Sequence, residues 1–113
     1  MLDQVMGQLE RYMDLLAERQ KLVASNVANA DTPGYHALDV DADFPSALRS
    51  AAGEAPRAVE VQGLNVKNDG NNVSLDREAR LLAENALRFQ IASSLMRTEI
   101  RVVRSAIEEG KSS

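Results

Sequence analysis

Asp39-x-Asp41-x-Asp43 is the place where carboxylates fall at calcium-loop spacing. Alternate acidic residues can offer oxygens to a hard cation. Such a loop also needs a glycine at its sixth position and a bidentate glutamate at its twelfth. Here those positions hold Phe44 and Ser50, so a calcium site is not expected. His36 is the only histidine, which excludes an imidazole cluster. It follows Gly34-Tyr35 and reads as a solvent-facing turn residue. Asp69-Gly70-Asn71-Asn72 is rich in oxygen but reads as a turn before a helix. There is no cysteine, hence no thiolate and no disulfide. Gly63 and Gly70 stand alone, without the Gly-Lys-Ser/Thr of a phosphate-binding loop. Tyr12, Tyr35, Phe44 and Phe89 are too dispersed to stack bases. The residues that do chemistry elsewhere are therefore not assembled here. The expectation is no enzyme, no cofactor and no metal.

Composition supports that reading. The chain has 113 residues, enough for one domain at most, and a net charge of −4. An acidic balance without clustered basic residues argues against nucleic acid. Hydrophobic residues make up 44% but aromatics only 4%, so any core is aliphatic and favours helix packing over a sandwich. No stretch approaches the ~20 apolar residues of a membrane span. Asp3, Glu10, Arg11 and Asp14 interrupt the N-terminal segment, so no cleavable signal peptide is expected.

Two segments carry heptads. Leu2, Met6, Leu9, Met13, Leu16, Gln20, Val23, Val27 and Ala30 alternate spacings of four and three, with Gln20 the polar exception. Leu75, Ala79, Leu82, Ala86, Phe89, Ser93, Met96, Ile100, Val103 and Ile107 repeat the pattern, broken by Ser93. Each predicts a long helix packed along another. Ser74 is the expected N-cap of the second helix, Asp76 and Glu78 favour its positive end, and Gly110 is expected to close it. Leu15, Leu22, Leu81, Leu95 and Val102 fall off these seams. In an isolated helix pair they would face water, which marks an interaction surface. Gln20 and Ser93 would fix register as buried polar residues.

The first helix stops at a chemically defined corner. Pro33 cannot continue a helix and pushes Thr32 toward extended angles. Pro33-Gly34 suits the middle of a type II turn. Asn29 and Asp31 can bond nearby backbone where the helix runs out. Between the helices, Val59-Glu60-Val61 and Leu64-Asn65-Val66 permit a short hairpin about Gln62-Gly63.

The corner also carries a resemblance. Asn26-Val27-Ala28-Asn29-Ala30-Asp31-Thr32-Pro33-Gly34-Tyr35 resembles the N-terminal signature of the bacterial flagellar rod, hook and hook-associated axial proteins. Asp69-Gly70-Asn71-Asn72-Val73-Ser74-Leu75, with Leu82-Ala83-Glu84-Asn85 and the segment through Phe89-Gln90, resembles the C-terminal half of the proximal-rod members. His36 departs from the usual Lys or Arg, Ser74 from Asp and Phe89 from Tyr, and the centre is short. The resemblance implies corner residues Asn26, Asn29, Asp31, Thr32, Pro33, Gly34 and Tyr35. It implies a second motif of Asn71, Asn72, Val73, Leu75, Glu84 and Asn85. Family members carry an export motif of Phe followed four residues later by an apolar residue, which Phe44 and Leu48 fit. The two side chains tucking against the helices is the alternative.

The expected fold is mainly α: a long antiparallel, coiled-coil-like hairpin of N- and C-terminal helices around a short irregular or small β-containing centre. The expected unit is discontinuous: helix and corner over 1–33, a central segment over 34–73, and the last helix over 74–110. Leu9, Met13, Leu16, Val23 and Val27 are expected to pack or assemble the first helix. Phe89, Leu95, Met96, Ile100, Val102 and Val103 are expected to do so on the second. By resemblance the chain is a structural subunit of the proximal rod in the flagellar basal body. Its partners would be itself, other rod proteins and the flagellar type III export apparatus, and its place the periplasmic rod. A cytoplasmic helical adaptor or export chaperone, forming a closed dimer, is the rival; it explains the heptads but not the two motifs.

Overall fold

The computed structural model describes residues 2–41 and 57–112. Helix α1 spans Leu2–Ala28 and helix α2 spans Leu75–Ser112. Strands β1 (Leu38–Val40) and β2 (Ala58–Glu60) lie between them. The strands pair antiparallel, with Asp39 opposite Val59. Chain order is thus α1, β1, β2, α2, a mainly helical molecule with a small central sheet.

The helices run antiparallel. Asn26 meets Glu78, Leu16 meets Asn85, and Tyr12 meets Arg88. The 38 residues of α2 make a rod of about 57 Å, against about 40 Å for the 27 of α1. Continuing that pairing, the last dozen or so residues of α2 pass beyond the start of α1. The molecule measures 72 × 25 × 17 Å, with a radius of gyration of 18.5 Å. A compact chain of this length would have about 13 Å.

α1 ends through its own side chains. Asn29 returns both its amide and its Nδ2 to the Ser25 carbonyl. Successive tight turns follow, from Ala30 to Val27 and from Thr32 to Asn29. The Tyr35 amide then closes on the Thr32 carbonyl with Gly34 at φ +75°, the geometry of a type II turn. At the other helix, the Ser74 hydroxyl accepts from the Arg77 amide at 3.2 Å, an N-cap bond. Gly110 does not close α2; the helix runs through it to Ser112.

The packed face differs from the predicted seams. The apolar core is Leu15, Leu16 and Val23 from α1, Leu81 and Ala92 from α2, with Ala37 and Val73 from the connections. Leu15 and Leu81, expected to face water, are buried. Val27, Leu75, Leu82, Phe89, Ile100 and Ile107, expected on the seam, are exposed. Gln20 is exposed and Ser93 half-exposed in the single chain, so neither sets the register between α1 and α2. Leu9, Met13, Met96 and Val103 are half-buried, and only Leu16 and Val23 of the predicted packing residues are fully inside. The physical reason is that α2 presents Glu78, Leu81, Asn85 and Ala92 to α1, a heptad interleaved with polar residues. Those polar groups bond α1 directly, as Asn85 Nδ2 does to the Leu16 carbonyl at 3.3 Å. A hydrophobicity pattern cannot register them.

The predicted hairpin about Gln62-Gly63 does not form. β2 pairs with β1 instead, and the expected second arm is outside the sheet, with Val66 exposed. β1 is the better partner because its backbone is already fixed by α1, as described next.

Candidate functional site

The two family-like motifs, some forty residues apart in sequence, form one clasp at the end of the hairpin. Asn26, on the last turn of α1, is fully buried. Its Nδ2 donates to the Leu38 carbonyl at 2.8 Å and to Glu78 Oε1 at 3.1 Å. Its Oδ1 accepts from the Leu38 amide and from the Tyr35 hydroxyl, both at 3.0 Å. One side chain thereby ties α1, the corner, β1 and α2 together. Tyr35 also shares a 3.1 Å hydroxyl bond with Ser25.

Asn71 and Asn72 do the same from the other side. Asn71 Nδ2 donates to the carbonyls of Asn29 (2.9 Å) and Thr32 (2.8 Å), each of which also accepts a turn amide in the corner. Its Oδ1 accepts from the Val73 amide at 2.8 Å. Asn72 Oδ1 accepts from the Ala37 amide at 2.7 Å, while the Asn72 amide donates to the Tyr35 carbonyl. The Gly34 amide donates to the Asp69 carbonyl at 2.9 Å, so the two turns lie backbone on backbone. Gly70, at φ +86°, needs that closeness: a Cβ there would sit 3.3 Å from Gly34 Cα. Thr32 donates to Asn29 Oδ1 at 3.0 Å. Asp31 and Pro33 sit exposed in the corner.

An ionic layer closes the clasp. Asp39 of β1 takes Arg19 of α1 through two bonds of 3.1 Å and Arg77 of α2 at 2.6 Å. Arg77 reaches Glu78 Oε1 at 3.0 Å, and Glu78 is fully buried. The Arg77 and Asn26 bonds both end on Oε1, and Oε2 is buried without a hydrogen-bond partner, so they offset only part of the carboxylate's desolvation. Farther along, Arg88 bonds the Tyr12 hydroxyl and Glu84. The Tyr12 bond, ahead of Tyr12 and Glu84 electrostatics and against the opposing effect of burial, pushes Arg88 above its ordinary pKa.

Chemically this is a joint. Asp39, the first carboxylate of the calcium-like spacing, is occupied by two guanidinium groups. Among the described residues no cluster of three His, Cys, Asp or Glu side chains can hold a metal. His36 lies 3.4 Å from Glu60 on the surface. Phe44 and Leu48 lie outside the described residues. Of the second motif, Asn71, Asn72, Val73 and Asn85 are buried, Glu84 is half-buried beside Arg88, and Leu75 is exposed. Sequence reading missed Ser25, Arg19, Asp39, Arg77 and Glu78 as members. A signal exists: Tyr12, Arg19 and Asn26 are seven apart, as are Glu78, Asn85 and Ala92. The packed faces carry a polar heptad beside the apolar one.

Comparison with known proteins fits this joint. A family model described as flagella basal body rod protein matches residues 13–36, the end of α1 and the corner. The Flagellar basal body rod protein FlgB of Escherichia coli (strain K12) is 29% identical, covering 96% of this chain and 96% of its own. That of Yersinia ruckeri is 29% identical, covering 97% of this chain and all of its own. That of Salmonella typhimurium is 26% identical over 96% of each. The first two alignments run to 135 and 139 residues, beyond the 113 here, so those relatives hold residues that this chain lacks. With both motifs joined in one clasp and the likeness running nearly end to end, the chain is similar to the flagellar basal body rod proteins along almost its whole length.

Proposed function

We propose that this chain is a structural subunit of the proximal rod, built into the axial tube of the basal body through its two terminal helices. The observation that carries the reading is the uncovered apolar surface of α2. Phe89 and Ile100 are 45% exposed, and Leu95 and Val102 50%. Covering what remains of each would contribute roughly 1 kcal/mol, half the ~1.5–3 kcal/mol of a full side chain. A helix with so much apolar surface is suited to a place among other helices. The clasp supplies the second requirement, a rigid exit angle from the helical part.

Other rod proteins are the proposed neighbours, and the flagellar type III export apparatus the proposed route to a periplasmic location without a cleaved leader. No described helix is long and apolar enough to cross a membrane. The closed-dimer adaptor finds no support among the relatives, whose names are those of rod proteins. The family is structural and not an enzyme class.

The test is complementation of swimming in cells lacking their own copy. The wild-type chain restores motility, whereas Leu95→Asp combined with Val102→Asp does not, although far-UV circular dichroism of the purified variant is unchanged. Normal swimming by the double variant counts against the reading, because these positions would then face solvent in the working structure.

A further inference from the structure

The two predicted heptad seams do not face each other; they share one side of the hairpin. At about 100° per residue, the α2 stripe Leu82, Phe89, Ile100 lies roughly 60° around from the packed face of that helix. On α1, the stripe Met6, Leu9, Met13 lies roughly 100° around in the same rotational sense, each viewed down its own axis from the N-terminus. For antiparallel helices, equal rotational sense puts both stripes on the same side. The hairpin thus has one broad apolar face shared by both helices, a second apolar strip of α2 (Ile91, Leu95, Val102) about 70–110° around in the other sense, and two outer edges.

The edges carry opposite charge. Asp3, Glu10 and Asp14 are exposed and lie opposite the packed face of α1, with no basic residue between them on that line. Arg97, Arg101 and Arg104 are exposed and line the outer edge of α2, Arg97 level with the start of α1 and the other two in the length that passes beyond it. None of these six is in an ion pair among the described residues. Within one hairpin the two edges point away from each other.

The geometry points to a side-by-side contact between copies of this chain, in which Arg97 and Arg101 of one copy meet Asp14 and Glu10 of the next. Glu10 and Asp14 are four residues apart, and so are Arg97 and Arg101, so both pairs align on antiparallel helices in a single register. The intrachain pairings set Arg97 level with about residue 3 of α1. Matching it to Asp14 of a neighbour therefore shifts that neighbour by about eleven residues, roughly 16 Å along the axis. The contact is heterologous, so it repeats without using up either edge, and the axial step makes the repeat helical. It places the overhanging end of α2 against the neighbour's α1 and turns every broad apolar face to the same side. The inference rests on the proposed rod role and adds the lateral contact and its register.

Charge reversal tests it. Glu10→Arg with Asp14→Arg is one variant, and Arg97→Glu with Arg101→Glu the other; all four positions are exposed. Sedimentation velocity of the full chain at low salt is the assay. Wild type is expected to associate, each variant alone to sediment as monomer, their mixture to regain association, and high salt to abolish it. Wild type that stays monomeric up to its solubility limit overturns the contact. So does a variant that associates like wild type, or a mixture that stays monomeric. Swimming separates the two levels. If both variants restore motility, the contact is wrong and the rod role stands; if the wild-type chain itself fails to, the rod role is wrong.

Discussion

Asn26→Ala is the perturbation with the largest consequence for the joint. The side chain is 0% exposed and holds four partners. Two of these have another bond to fall back on, since Tyr35 keeps Ser25 and Glu78 keeps Arg77. The Leu38 amide and carbonyl are left facing a small void. A buried backbone group deprived of its partner costs about 1–3 kcal/mol, and each bond weakened elsewhere up to about 1 kcal/mol. The sum is a loss of roughly 3–7 kcal/mol, against the ~5–15 kcal/mol that holds a typical domain folded. Urea unfolding followed by far-UV circular dichroism measures it, with the exposed Gln20→Ala on the same helix as the control, expected within ~0.5 kcal/mol of wild type. Asn26→Asp separates hydrogen bonding from volume. It fills the same space and keeps both accepted bonds, but sets an anion against the Leu38 carbonyl and Glu78, so it should destabilise at least as much as alanine. A loss below about 1 kcal/mol for Asn26→Ala, or a benign Asn26→Asp, refutes the reasoning.

Three further outcomes follow from the same geometry. Gly70→Ala should cost about 1–3 kcal/mol more than Gly63→Ala in urea unfolding, because both glycines have positive φ but only Gly70 faces another backbone at 3.3 Å; equal losses would remove the close approach from the account. Arg77→Ala should lose about 3–5 kcal/mol by stranding buried Glu78, whereas Arg57→Ala, whose pair with Asp41 is exposed, should change stability by less than ~1 kcal/mol. In hydrogen exchange of the isolated chain, amides around Leu81 to Ala92 should be protected well beyond those from Val102 to Ile107, whose turns have no packed neighbour among the described residues; uniform protection along α2 would contradict the overhang.

Elements were easier to read than faces. Pro33 and Gly34 mark the corner because their backbone limits are local, and Ser74 marks the start of α2 for the same reason. Both helices were legible from four-and-three spacing. What that spacing could not reveal was which side of each helix packs. A strict seven-residue repeat drifts by about 20° per heptad on a straight helix. The contact line then follows Asn26, Glu78 and Asn85, whose bonds a hydrophobicity pattern counts as gaps. The pairing of β1 with β2 was hidden because it depends on Asn26 and on Arg19 and Arg77 holding Asp39, contacts made across long stretches of sequence. Asn71 and Asn72 looked like turn residues and are that, but the Asn71 side chain also donates to the Asn29 and Thr32 carbonyls of the corner, and the Asn72 side chain accepts from the Ala37 amide.

The central claim is that this hairpin is half of a packing arrangement that neighbouring subunits complete. A cryo-EM map of the basal body from cells that build it with this chain tests that most directly. The account predicts α2 enclosed by helices of adjacent subunits along Phe89, Ile100 and Ile107, with the clasp around Asn26 unchanged from the single chain. Density showing those three side chains on an open outer surface would contradict it.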